Sequence, residues 1–553
     1  MAKRDKLKQK QYSSVVLGGG LDVVTPPLKV APGRTIQMKN FECDLNQGYK
    51  LFEGFERFDG QPSPTESDFW ALELDDTTGA VVGNTITGAS SFASGTIIDV
   101  ADNGVYIADL AGAPFTPGEG LSGPETGTVL TAEVMNSIIP GSSDNFNEKR
   151  LIKEDYFKDA IAALNGSGDV LGVWRHESHT IAFRNKVGDT EAEMWRATSS
   201  GWVSVPLGHT VFFDTGANAD LAVVGATVSD GVSDTAIIEA AIYASEAKVA
   251  GYFVLSGYTA GFAIAANMTI GGSAVGTVTT AAAAITLNPD GRYEFISHNF
   301  IGTTGFQGDP DSYNVYGADG KNPCWEWWPT RNIFVPIYTD QAYQSIDNPK
   351  YVTVYKNQLF TGFERGILRN SGVGDPYNWD SATGTIEIGV GQVITGFDPG
   401  PGALIIGTRR KTYSLVGNDV SDFNLEVVAE KAGAIDHTMQ HLGTTYMLDD
   451  RGIIELSRVQ AFGNFENATV SRLIQPEINR LRDDIIASTV NLKKNIYRLV
   501  NNQGEGISMT IQDENEIAFG LFDLGKNVTC MANSEDEIGD ERIYFGDDLR
   551  LCV

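Results

Sequence analysis

The residues that come nearest to a metal site in this sequence are His176-Glu-Ser-His179. A zinc-binding HExxH places its histidines four apart on one helix face; here they are three apart, in a stretch that reads strand–turn–strand, so the pair is not expected to hold a metal. His209, His298, His437 and His441 are read as having no partner at ligand spacing. The segment GADGKN (317–322) lacks the length and the Ser/Thr of a phosphate-binding Walker loop, and LGGG (17–20) precedes no helix, as a dinucleotide fingerprint would require. Asp75-Asp76, Asp449-Asp450 and Asp547-Asp548 fall in turns, where solvated carboxylates are the expected reading over calcium ligands. Trp325, Trp327 and Trp328 in CWEWW would suit sugar stacking, yet alternation along a strand puts Trp325 and Trp327 on one face and Trp328 on the other, which is ordinary sheet packing. Four cysteines (Cys43, Cys324, Cys530, Cys552) lie far apart and read as small buried hydrophobes. No paired carboxylates, metal cluster or activated nucleophile can be assembled, so the expectation is a protein with no catalytic, cofactor-binding or metal-binding residues.

The elements around these residues read as strands. Gly accounts for 61 of 553 residues, well above the usual ~7%, without a collagen period. Many tight turns, hence an all-β chain, follow. After a helix over 144–165, with Asp144 as its cap, a stripe of Ile152, Tyr156, Ala160, Phe157, Ile161 and Leu164, and Asn165-Gly166 as its stop, comes DVLGVWRHE, HTIAFRNKV, TEAEMWRAT and WVSVPLG. Four short strands joined by tight turns are the pattern of one propeller blade. Comparable units recur through 291–525, giving a propeller of about six blades with room for a seventh. A second helix is expected near 475–486, with Pro476 in its first turn and Ile478, Leu481 and Ile485 on one face.

Two segments stand outside the blade pattern and match each other. VVGNTITG at 81 pairs with VVGATVSD at 223, Ile97-Ile98-Asp99 with Ile237-Ile238-Glu239, Gly104 with Gly251, Phe115 with Phe262, and Gly127-Thr-Val with Gly276-Thr-Val. They are read as two copies of a small β-module inserted in the propeller. The expected organisation is a basic arm over 1–15, an extended strap and first propeller strands over 16–78, modules at 79–140 and 216–288, the helix and first full blade at 141–215, and the remaining blades over 289–553.

The strap, GGLDVVTPPLKVAPGR onward, is punctuated by Pro26, Pro27, Pro32 and Gly33 before it settles into the aromatic alternation of YKLFEGFERF. That last run is the expected mate of the C-terminal RIYFGDDLRLCV, closing the ring. No apolar run reaches the ~18 residues of a membrane span. The N-terminus has charge but no apolar segment behind it and reads as no signal peptide, so synthesis in the cytoplasm is expected. With 41 Lys+Arg against 71 Asp+Glu the chain carries a net −30, which opposes affinity for a phosphate backbone. The arm Lys3, Arg4, Lys6, Lys8 and Lys10 is the exception and a candidate for docking on an acidic partner.

Four phrases, GGLDVVTPPLKVAPGR…NFECDLNQGYKLFEGFERFDG, EDYFKDAIAALNGSGDVLGVWRHES, SGVGDPYNWD (371–380) and LIIGTRRKTYSLVGN (404–418), resemble in order the tail nozzle proteins (tail tubular protein B) of short-tailed bacteriophages. The resemblance leaves 81–135 and 223–285 unmatched. It implies a β-propeller platform in the virion tail, a homohexameric ring below the adaptor and portal, attached tail fibres or spikes, and a channel through which viral DNA passes without specific binding. It implies no catalytic residues and no cofactor. The chain departs from the pattern in stopping at Cys552-Val553, so the last blade is expected to be incomplete or closed by another segment. The rival expectation is a carbohydrate-binding or carbohydrate-degrading propeller of tailspike type; an extracellular adhesion array is disfavoured by the N-terminus.

Overall fold

The computed structural model describes residues 17–45, 48–122, 127–245, 247–300, 313–339, 347–381, 384–462, 469–513, 516–535 and 539–553. It separates into two compact units: Met1–Glu53 with Asn165–Arg196 and Ser204–Leu551, and Gly54–Leu164 with Ala197–Val203 and Cys552–Val553.

Seven antiparallel sheets of the blade pattern follow one another along the chain, so the count is seven, the higher of the two that the sequence left open. Their first strands are Ser167–His176, Glu294–His298, Tyr351–Tyr355, Ile394–Pro399, Gln440–Leu442, Ile485–Asn491 and Cys530–Glu535. All seven line a common axial cavity, which makes the first unit a seven-bladed β-propeller. The fifth blade has three strands among the described residues, and the final run RIYFGDDLRLCV supplies two strands, Glu541–Gly546 and Leu551–Cys552, to the four-stranded seventh sheet that Cys530–Glu535 begins. In the second unit Glu56 and Val553 exchange both backbone hydrogen bonds at 2.9 Å. Only the end of YKLFEGFERF therefore runs beside the C-terminus. Its start, Gly48–Leu51, turns back onto Phe41–Asp44 as a hairpin.

The strap lies along the outermost strand of the sixth blade, Glu516–Asp523. Leu21 donates its N–H to Phe519 O at 2.8 Å, Asn40 donates to Leu521 O at 2.7 Å, and the Asp523 N–H donates to Asn40 Oδ1 at 2.8 Å. A strand edge that would otherwise be open is thereby covered. Gly20 makes the approach possible. Its φ is +77°, and a Cβ there would stand 2.5 Å from Phe519 N. Leu21, Met38 and Cys43 are buried with Tyr497, Leu499 and Phe519. Arg498 clamps Glu42 through Nε–Oε1 and Nη2–Oε2, both 2.8 Å, with the two side chains 9% and 8% exposed. The guanidinium also lies 4.9 Å from the Phe52 ring centroid, and Phe52 stacks on Phe522 at 4.8 Å.

The two matched segments share one topology. The first module begins at Trp70–Glu73, and its strands run in the order Leu121–Ser122, Thr85–Gly88, Ser94–Ala101, Gly104–Ala111, Trp70–Glu73, Val134–Met135. In the second the order is Asn267–Ile270, Thr227–Ser229, Thr235–Tyr243, Gly251–Ser256, His209–Asp214, Ser273–Ala284, closed into a barrel by pairing of its end strands. Numbering strands along each module, both read 5-2-3-4-1-6. In the first module residues 127–130 make the closing contacts, through the bridges Gly120–Thr128 and Leu74–Val129.

Strand pairing corrects the boundaries at 79 and 216. Trp70–Glu73 pairs with Gly104–Ile107, and His209–Phe213 with Gly251–Leu255, so each module takes its first strand from what read as propeller sequence. It also corrects two anchors. Gly83 and Gly225 donate to Ile97 O and Ile238 O, which makes Ile97 equivalent to Ile238 rather than Ile237. In both copies the register slips one residue later, at Ile98 and at Glu239, and the shared bulge sets Gly104 opposite Tyr252 in the comparison rather than Gly251. Phe115 with Phe262, and Val129 with Val278, match as read: the N–H of Gly118 and of Ala265 donate to Val129 O and Val278 O.

The helix over Phe146–Ala160 is capped by Asn145, whose side chain accepts from the Asn147 N–H; Asp144 instead accepts from the Tyr106 hydroxyl and pairs with Lys149. Its buried side chains are two lysines. Lys149 pairs with Asp99, and Lys153 donates to the carbonyls of Pro64 and Ser67 at 2.9 and 2.8 Å. Ile152, Tyr156 and Phe157 pack on the first module, whereas Ile161 and Leu164 are buried beyond the helix end. The later helix is Gln475–Leu481; Ile485 opens a strand instead of extending its face, and a further helix, Leu456–Phe462, was not foreseen.

Candidate functional site: the propeller axis

Because each blade contributes its first strand, the axis collects side chains from seven remote stretches of sequence. It encloses a cavity of about 340 Å³. Aromatic rings from four blades supply its walls: Trp174 stacks on Phe295 at 5.8 Å, and Phe397 and Tyr351 stand 6.2 Å apart. Polar groups are concentrated at two depths.

At one, Glu294 Oε1 and His437 Nδ1 are 2.5 Å apart. Burial alone would push the Glu294 carboxyl upward; the charge and hydrogen bond of His437, helped by Arg292 and Lys350, outweigh it and hold the group below its usual range. Lys350 and the Tyr351 hydroxyl donate to Asp436 at 2.8 and 3.2 Å. At the other depth, buried Asp398 accepts from the Thr445 hydroxyl at 2.6 Å and faces His441 Nδ1 at 3.1 Å. His437 and His441 are thus four apart in sequence and share the axis, contrary to the reading that neither has a partner, but each is engaged by its own carboxylate. Ser488 donates its hydroxyl to His437 O at 2.7 Å and accepts from Gln440, so its oxygen is committed to holding blades five and six together. Cys530 is fully buried and burial raises its thiol, the opposite of what a nucleophile needs.

On the side where the first strands begin, the axis opens into a mouth of about 720 Å³ that shares Arg292 and His437 with the inner cavity. Its rim comes from blades one, five, six and seven.

The residues singled out from sequence lie elsewhere. His176 and His179 face each other across a hairpin whose turn residue Glu177 has φ +50°, and His176 Nδ1 is 3.0 Å from Ser297 Oγ. Burial lowers both imidazoles. Trp325 and Trp327 are buried in one cluster with Phe183 and Phe334, and Trp328 in another with Tyr316 and Tyr377, the two faces that alternation gives. The turn carboxylates accept backbone N–H groups: Asp76 from Thr78, Asp449 from Gly433, Asp547 from Leu549 and Arg550. All four cysteines are buried and unbridged. No group of three or more His, Cys, Asp or Glu able to hold a metal is found among the described residues. The arm Lys3, Arg4, Lys6, Lys8 and Lys10 lies outside the described residues. The axial set (Arg292, Glu294, Asp398, His437, His441) was missed; aligning the starts of the seven blades would have brought it together.

No family model and no curated protein matches the chain. Among solved structures, one chain of a crystal structure of BBS1N in complex with ARL6DN, soaked with lead, is similar at 11% identity over 62% of this chain and 96% of its own, with a TM-score of 0.31. The propeller assignment stands on the seven sheets themselves. No helix among the described residues is long and apolar enough to cross a membrane.

Proposed function

We propose that the protein is a structural component of the tail nozzle of a short-tailed bacteriophage: a homohexameric ring that continues the genome-ejection channel below the adaptor and portal and carries fibres. The observation that carries this reading is where the resembling phrases fall. They map in order onto the strap, the helix leading into blade one, the loop segment 371–380 and the middle strands of blade four, while the two barrels carry none of them. SGVGDPYNWD supplies Tyr377 and Trp379 to the core shared by Trp328 and Tyr316, so the phrase is a packing device rather than a catalytic one.

Two physical features agree with the role. A side-chain-lined axis holding about 340 Å³ cannot pass a duplex, so the channel of this reading lies between subunits, which requires head-to-tail contacts that close. A net −30 per chain keeps phosphates from binding the wall, where each Lys or Arg contact would add affinity and drag. The same charge opposes self-assembly at low ionic strength, so rings are expected to form on the adaptor complex, with the basic arm as a docking element. In this reading the protein is not an enzyme. The tailspike alternative loses its sugar platform, since all three tryptophans of CWEWW are 0–1% exposed. Class-averaged electron micrographs of the protein with adaptor and portal test the proposal: six-fold rings support it, and three-fold spikes or a channel wall rich in Lys and Arg refute it.

A further inference from the structure

Among the described residues no large apolar side chain is more exposed than Leu28, at the tip of a loop in the strap. The loop's neck is tied: Asp22 donates its N–H to Thr35 O at 2.8 Å, and Val23 donates to Leu473 O at 3.0 Å. Its backbone is braced as well. Pro26, Pro27 and Pro32 fix three φ angles, the Asp22 carboxylate accepts from the Val24 and Thr25 N–H groups at 3.2 and 2.9 Å, and the Lys29 N–H closes a turn on Pro26 O at 2.7 Å. An apolar group held out on an already ordered turn loses little entropy when a partner covers it. Val24 and Ile36, at the two feet of the loop, are each more than half exposed, and Lys29 makes no ion pair among the described residues. Residues 1–40 hold eight Lys and Arg against two Asp, a net +6 in a chain of net −30, which leaves −36 on the other 513. The strap thus belongs to the basic end of an acidic molecule, and a second copy of the same chain carries the surface of opposite charge that fits it.

Blade four offers that surface. From blade two to blade six, the outer strand Ile333–Ile337 is buried at every position, Glu387–Gly389 is only three residues long, Ile453 O of blade five accepts from Val470 N–H, and blade six carries the strap. The outer strand of blade four, Asn424–Ala429, has no backbone hydrogen bond on its outer edge among the described residues. Leu456 and Val459 pack on Val428 and Ala429, so the open stretch is Asn424–Val427. Such an edge is a template for another chain. Val427 is 43% exposed, and Asp419, Asp422 and Glu426 are exposed carboxylates without an ion pair among the described residues, with no Lys or Arg between 412 and 430.

We propose that the loop Val24–Arg34 of one copy docks on the open edge Asn424–Val427 of a second copy, Leu28 against Val427 and Lys29 among the three carboxylates. The two surfaces lie on different blades, so the contact is head-to-tail and repeats from copy to copy. It rests on the nozzle reading only for closure into a six-fold ring.

Disulfide trapping between full-length variants tests this, the four native cysteines being buried. Under mild oxidation, Leu28→Cys mixed with Val427→Cys should cross-link about tenfold faster or more than Leu28→Cys mixed with Val187→Cys, an exposed control in a hairpin turn of blade one. Adding Lys29→Glu to the Leu28→Cys chain should slow trapping about tenfold against the same control, and adding Glu426→Lys to the Val427→Cys chain should restore it. The proposal is overturned if trapping is no faster than the control, or if the charge reversals leave it unchanged. Trapped pairs that build no six-fold ring on the adaptor would sink the nozzle reading and leave this contact standing. Six-fold rings in which Leu28→Cys and Val427→Cys are never trapped would do the reverse.

Discussion

Replacing Glu42 by Gln should detach the strap without unfolding the propeller. In the native protein Arg498 meets Glu42 through two 2.8 Å bonds, with both side chains more than nine-tenths buried. The substitution removes the charge and turns one acceptor into a donor facing another donor. Breaking one side of a buried ion pair costs about 3–5 kcal/mol, because the partner is left charged and unpaired. Part of the contact is kept: the Gln amide oxygen still accepts one of the two guanidinium N–H bonds, so the loss falls at the lower end of that range. A net loss of about 3 kcal/mol is therefore expected, confined to the strap. Native-state hydrogen exchange reads it directly. Protection of the Leu21 and Asn40 amides, which bond Phe519 and Leu521, should fall by that amount, while Leu448 in blade five should not change. The double variant Glu42→Leu with Arg498→Leu, having no stranded charge, should regain most of the loss. A change below about 1 kcal/mol at Leu21 and Asn40, or an equal fall at Leu448, would refute the claim that this pair staples the strap locally.

Asp375 is buried, and burial raises its carboxyl from 3.8 to about 6 despite the N–H bonds of Tyr377 and Asn378. A raised carboxyl binds its proton more tightly when folded, so its contribution is full below pH 3.8 and declines as pH rises to about 6; the gap corresponds to about 3 kcal/mol, and Asp375→Asn should flatten this part of a urea-midpoint titration. Glu119 shows the opposite sign: although burial opposes it, hydrogen bonds from Ser90, Ser91 and Thr116 hold it at about 2, so its contribution is present above pH 4.5 and fades as pH falls toward 2. Glu119→Gln should cost about 2 kcal/mol at neutral pH, discounted for a turn near the surface, as measured by exchange at the amides of residues 88–93. Gly20→Ala, with a Cβ 2.5 Å from Phe519 N and φ +77°, should destabilise the strap by about 1–3 kcal/mol, visible as faster proteolysis near residue 20; wild-type cleavage rates would contradict the close approach.

Turn chemistry made the blades legible in the sequence. Gly188 and Asp189, at φ +96° and +53°, make the hairpin that their types announce, and CWEWW divides its rings between two faces as a strand must. Blade count was less legible, because Gln440–Leu442 is a strand of three residues and leaves almost no periodic signal. Bulges were invisible: the one-residue slips at Ile98 and Glu239 shift an alignment that depends on identical letters. Lys149 and Lys153 misled the helix reading, since a lysine scored as solvent-facing can be buried when its ammonium finds carboxylates or carbonyls. The axial site has no motif spacing, because its residues come from separate blades (only Arg292 with Glu294, and His437 with His441, share one), and aligning the starts of the blades is the one sequence operation that assembles it.

In both barrels a carboxylate gathers the N–H groups of the turn between strands two and three, but from different places. In the first it is Glu119, reaching across from the start of strand five to Ser90 and Ser91; in the second it is Asp230, inside the turn, accepting from Val232, Ser233 and Asp234. The position equivalent to Glu119 is Ala266, and that equivalent to Asp230 is Gly88, so the anion has migrated while its task stayed put. Parts of the two barrels are consequently not interchangeable. Grafting residues 230–234 into the first barrel would bring two anions to one set of donors, and grafting 88–93 into the second would bring none. A chimera of either kind would fail for want of its companion substitution, and reciprocal exchange at 119 would rescue the first: the duplicated halves have become mutually dependent on their own histories.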